Sequence, residues 1–211
     1  MNATIANFWN HFKENNFVFR LMPDIPKEER EKYFGKLNEL LYEYNEDLGV
    51  IITNSKDKSE LIITAKGNPY LFKDVELLVH YAPTIKPWII TAFLQPVGDI
   101  DEFEKGTDKP LEYFGIFLKI SQMYFIPLEN CNNPNRLGLR VYLKNYIVHK
   151  DNPRLREAVY TLIEHIIGEK AFANEINFIE LEQFTADIIN PQPIDLCYLI
   201  DYLREFNDPI L

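Results

Sequence analysis

Apolar residues recur along this chain with two periods, and the switches between them mark out its elements. Ile5, Phe8, Trp9 and Phe12 sit at i, i+3, i+4 and i+7, which predicts a helix over 4–16 with an aromatic stripe packed on the body of the fold. A second helix, 26–48, follows Asp24-Ile25-Pro26 and carries Tyr33, Leu37, Leu40, Leu41, Tyr44 and Leu48 on one face. Gly49 is placed to follow its C-terminus, and Glu28 and Lys32 are spaced as an i, i+4 ion pair. The period then shortens. Val50–Thr53 and Leu61–Thr64 are β-branched runs joined by a polar turn, so they read as a hairpin. Lys66-Gly67-Asn68-Pro69 stops the second strand and starts a helix, with Asn68 as its cap and proline at its first position. Leu71, Phe72, Val75, Leu78, Val79 and Ala82 form that helix's apolar side, and Pro83 ends it. Trp88–Leu94 resumes as a strand that is apolar on both faces, which predicts cover on both sides.

The second half repeats this grammar. After an acidic connector, 97–110, the runs Tyr113–Leu118 and Met123–Leu128 read as strands of one hairpin, and 129–136 is rich in turn formers. Leu139, Val141 and Leu143 alternate with Arg140, Tyr142 and Lys144, a strand with one buried and one polar face. Asn152-Pro153 opens a helix bearing Leu155, Val159, Leu162, Ile163, Ile166 and Ile167, which Gly168 closes. Residues 175–184 form a further strand whose Glu180 or Glu182 suits a cross-strand pair with Arg140, and 193–206 forms a last helix. Strand, strand, Asn-Pro, helix, strand therefore occurs twice, within 49–96 and within 111–184. We expect a duplicated β-β-α-β unit in a single α/β domain spanning 1–211, with α+β the alternative class. The expected architecture is one mixed sheet of six or seven strands flanked by helices.

Composition changes the picture only at the margins. A chain of 211 residues with 46% hydrophobic and 14% aromatic content is long and apolar enough to fold on a core. Its net charge of −10 disfavours nucleic acid and anionic membrane surfaces and favours a basic protein partner. The N-terminus has no signal-peptide pattern, and no window approaches the roughly 18 apolar residues of a membrane span. A cytoplasmic location is the expectation. Cys131 and Cys197 lie far apart in sequence and read by default as two free thiols, with one disulfide between them as the alternative.

Several stretches together resemble a group of uncharacterised bacterial proteins. These are Phe8-Trp9-x-x-Phe12, Glu60-Leu61-Ile62-Ile63-Thr64-Ala65-Lys66-Gly67-Asn68, and Ala82-Pro83 followed by Trp88 and Ala92-Phe93. Phe125-Ile126-Pro127-Leu128 and Leu137-Gly138-Leu139-Arg140 extend the likeness into the second half, while His11 stands where similar proteins have tryptophan. The resemblance implies a domain of unknown function and carries over no catalytic residue.

The chemistry-bearing residues are few. The chain has no G-x-S-x-G elbow and no clustered glycines to cradle phosphate. Its four histidines lack zinc-type spacing, and Asp99–Asp108 lacks the glycine and distal glutamate of a calcium loop. A Cys131–His149 pairing has little specificity. No metal, cofactor or catalytic residue is therefore expected, and the leading reading is a non-enzymatic protein-binding module of an immunity or regulatory kind. The alternative is a small-ligand binder or hydrolase-type enzyme built on the two strand-to-helix loops: Lys66 and Asn68 in one, Lys144, Asn145 and His149 in the other. There a helix start offers unpaired amides and open sheets place their clefts.

Overall fold

In the computed structural model, which describes residues 2–55, 58–128, 133, 135–187 and 191–207, the aromatic stripe near the N-terminus is turned wholly inward. Helix α1 (Ala3–Arg20) buries Ile5, Phe8, Trp9 and Phe12. Phe12 stacks on Phe19 at 5.6 Å and meets Trp88 edge-on at 5.0 Å. The Trp9 indole N–H donates to the Leu78 carbonyl at 2.9 Å, so this ring is held in the core rather than offered to a ligand. The chain divides into two compact units, Met1–Leu94 and Gln95–Leu211, with the boundary at the end of the first predicted repeat.

In the first unit, α2 (Lys27–Tyr44) buries Leu37, Leu40 and Leu41 and ends five residues before Gly49. Gly49 is the first residue of strand β1 (Gly49–Asn54), not a helix terminator. Its role is clearance, since a Cβ there would lie 2.9 Å from the Thr64 methyl and 3.1 Å from Cε of Lys66. The helix ion pair is likewise shifted by one position, forming between Lys27 and Glu31 at 3.5 Å. Strand β1 pairs antiparallel with β2 (Ser59–Thr64) as expected. After a 3-10 turn over Pro69–Leu71, helix α3 (Phe72–His80) crosses to β3 (Trp88–Ala92), which runs parallel to β2. The order is β1-β2-β3. The strand covered on both faces is thus the central β2. Strand β3 is an edge, with Ile89 44% exposed, because nothing further pairs with it among the described residues.

The second unit contains two sheets. A short helix α4 (Asp101–Glu104) interrupts the acidic connector. Strands β4 (Leu111–Tyr113) and β5 (Ile116–Leu118) then form a hairpin of their own. Phe114 and Gly115, at φ 54° and 76°, make the turn, so the run read as one strand folds back on itself. Strand β6 (Met123–Leu128) pairs instead with β7 (Leu137–Leu143). Helix α5 (Tyr146–His149) and helix α6 (Leu155–Ile167) follow, and Gly168 at φ 83° ends α6 as its position predicts. After α7 (Glu169–Glu175), β8 (Ile176–Gln183) runs parallel to β7. The predicted last helix begins later than expected. Ile194–Asp195 is strand β9, pairing with β6; a 3-10 turn over Leu196–Tyr198 follows, and the α-helix proper, α8, is Leu199–Asn207.

Strand order in this sheet is β8-β7-β6-β9, so β6-β7-α6-β8 repeats the senses and neighbours of β1-β2-α3-β3. The mixed α/β class and the repeated unit stand. The strands, however, are shared among three sheets rather than one among the described residues. Among the described residues each repeat forms its own sheet with its own crossover helix, and no strand of one pairs with a strand of the other. Strand β7, read as half-polar, is central and buried throughout except at Arg140. That guanidinium bridges Glu180 at 2.8 Å and Glu182 at 3.4 Å across β8, as anticipated. The six large apolar residues of α6 are buried, at roughly 1.5–3 kcal/mol each, against at most about 1 kcal/mol for such an exposed ion pair.

Candidate functional site

The five residues predicted to bind a ligand fall in separate units. Lys66 and Asn68 follow β2 in the first, and Lys144, Asn145 and His149 follow β7 in the second. Each has local structural work. The Lys66 amide donates to Oγ1 of Thr64 at 2.9 Å, its stem packs over Gly49, and its ammonium lies 6.0 Å from the Tyr42 ring centre. The Asn68 side chain accepts from the Tyr70 amide at 3.1 Å, and the Asn68 carbonyl accepts from Leu71. Asn152 repeats this pattern, its side chain accepting from the Arg154 amide at 2.9 Å and its carbonyl from Leu155. Both Asn-Pro pairs are therefore helix-start devices. Lys144 covers the stacked Tyr124 and Phe184 rings at 5.5 and 5.9 Å. The Asn145 and His149 carbonyls close the turns around α5, accepting from Val148 and Asn152.

Nucleophilic chemistry finds little support. Cys131 lies outside the described residues, so the Cys131–His149 pairing and the state of that thiol do too. Cys197 is an unbridged, buried thiol whose pKa is pushed up to about 11 by burial and then by Asp195 and Glu104. A thiol so protonated is a poor nucleophile. Beside it, the Tyr198 hydroxyl donates to Glu104 at 2.6 Å, which raises the phenol to about 12. Among the described residues no group of three or more His, Cys, Asp or Glu is placed to hold a metal ion. No helix is long and apolar enough to cross a membrane among those residues.

The feature sequence reasoning missed lies along β1. An open groove of about 420 Å³ is lined by Met22, Arg30, Glu31 and Phe34 on one side and by Val50, Ile51 and Ile52 on the other. The groove lies between β1 and the start of α2 with the turn before it, and β1 pairs only with β2 among the described residues. Edge strands are normally blunted by charge or proline. Strand β1 (GVIITN) carries neither, and Ile51 is 38% exposed. Large apolar residues also stand exposed at the end of α1, with Phe17 at 60% and Leu21 at 49%. On the rim, Glu31 is held by Lys27, while Arg30 has no acidic partner among the described residues. A run of uncharged β-branched residues is visible in sequence. That its edge is open depends on which strands the fold supplies. Comparison with protein-family models, with curated proteins and with solved structures finds no match for this chain.

Proposed function

We propose that this chain is a protein-binding module that captures an extended segment of a partner along the open edge of β1. The observation that carries this reading is the uncharged edge strand facing an apolar groove. A bound segment pairs its backbone with the outward amides and carbonyls of β1 and lays alternate side chains against Phe34 and Met22. A volume of about 420 Å³ sits within the 300–1,000 Å³ common for ligand sites, enough for the alternate side chains of a short strand. Arg30 adds a preference for a carboxylate beside the apolar positions. The chain's net charge of −10 further favours a partner that is basic as a whole, acting on association rate more than on groove contacts.

The test is selection of 12-residue peptides from a random library, followed by fluorescence anisotropy with the best binder. Ile51→Lys, at an exposed position, is expected to weaken binding by at least tenfold with an unchanged circular dichroism spectrum. N-methylation of alternate peptide amides is expected to abolish binding. A peptide that binds Ile51→Lys as well as the parent, or a library that yields no binder, overturns the reading.

A further inference from the structure

We propose that the loop between β7 and α6 holds a small oxyanion, inorganic phosphate or a phosphomonoester, in a second and independent site. A pocket of about 210 Å³ opens there, lined by Tyr146, Lys150, Asn152 and Arg156 over the apolar Leu155 and Leu181. It lies at the C-terminal ends of the parallel strands β7 and β8, beside the crossover helix, where open α/β sheets place ligands.

The charges single this pocket out. Residues 95–211 carry 11 Lys and Arg against 19 Asp and Glu, a net of −8, yet no carboxylate lines it. Asp151 is exposed in the same turn but is not part of the lining, and Glu157 is tied to Arg154. Lys150 and Arg156 have no acidic partner among the described residues. Arg156 is fixed in place by donating to the Ile179 carbonyl at 2.9 Å. The Asn152 side-chain oxygen is already occupied by the Arg154 amide, so its free group is the NH2 donor. Asn152 meets the Arg154 and Leu155 amides, and beyond these the N-cap residue of the 13-residue α6, Arg154, adds no side-chain cap bond. The polar lining is thus two cations, an amide donor and a phenol, and the adjoining helix end adds partial positive charge. Lys66 in the first unit and Lys144 in the second each engage an aromatic ring, whereas Lys150 and Arg156 line this pocket without an acidic partner among the described residues.

Size sets the ligand class. At about 210 Å³ the pocket falls below the range for drug-sized ligands, which suits a phosphoryl group with a small body.

Titration of the full chain with inorganic phosphate, at constant pH and ionic strength against chloride, followed by 31P line broadening, tests this. Saturable binding is expected. Lys150→Gln, at an exposed position, is expected to weaken it at least fivefold while leaving the melting temperature in chloride unchanged, and Lys105→Gln is expected to bind as the parent does. Glycerol 3-phosphate binding more tightly than phosphate identifies a phosphomonoester, and equal affinity identifies phosphate itself. A response that does not saturate, or one that Lys150→Gln leaves unaltered, overturns the proposal. Peptide capture on β1 is unaffected by Lys150→Gln, so the two readings fail separately.

Discussion

Glu164 offers the sharpest test of the second unit's interior. It sits in the last turn of α6, half-buried, and its carboxyl is raised to about 7 by burial and then by the neighbouring Glu169. Glu169 is fully buried at the start of α7, across the break that Gly168 makes. The folded state therefore holds the Glu164 proton more tightly than the unfolded chain, whose carboxyl titrates near 4.5. The sign follows from proton linkage. Stability contributed by this group is fully present below pH 4.5 and is lost as pH rises through 7. A shift of this size corresponds to about 3 kcal/mol if fully expressed. Partial exposure screens it, and about 1–2 kcal/mol is the expected effect. Glu164→Gln removes the charge and keeps the shape. In urea unfolding at pH 8 the variant should be more stable than the parent by about 1–2 kcal/mol, or about 3–6 °C in melting temperature for a chain of this size. At pH 4.5 the two should coincide. Subtracting one curve from the other cancels the remaining titrating groups. An equal gap at both pH values, or a variant less stable at pH 8, would show that the carboxylate is solvated or paired and refute the reasoning.

Two further outcomes probe the repeated architecture. Gly138 lies beneath Phe178, and a Cβ there would come within 2.6 Å of the ring's Cε1, so Gly138→Ala should cost about 1–3 kcal/mol of overpacking in chemical denaturation. The same change at Gly35, where a Cβ meets nothing within 4 Å, should instead be neutral or mildly stabilising, as expected for a helical glycine replaced by alanine. Asn68→Ala and Asn152→Ala should each lose about 1 kcal/mol, since each side chain caps the turn that follows it. Unequal costs would break the structural parallel between the two loops.

The local grammar of the chain was legible from its residues. The stripes of α1 and α6, the Asn-Pro starts and the strand-strand-helix-strand order all follow from spacings of a few residues, where side chains and backbone groups meet regardless of what lies beyond. Even the Arg140 pairing followed from alternation along two strands. What the tertiary structure decided is which strands find each other. It split the expected single sheet into three, folded 111–118 into its own hairpin at Phe114-Gly115, and made β7 a central strand and β3 an edge. Edges and centres are set by pairing between distant segments, and a strand's own residues do not report whether its outer amides are met. For that reason the open edge of β1 was invisible in GVIITN. The expected ligand residues Lys144, Asn145 and His149 lay in a loop that holds a pocket, but their neighbours Tyr146, Lys150, Asn152 and Arg156 line it. Which side chains of that loop line a pocket is set by the path of the chain between β7 and α6, which spacing along the sequence does not report.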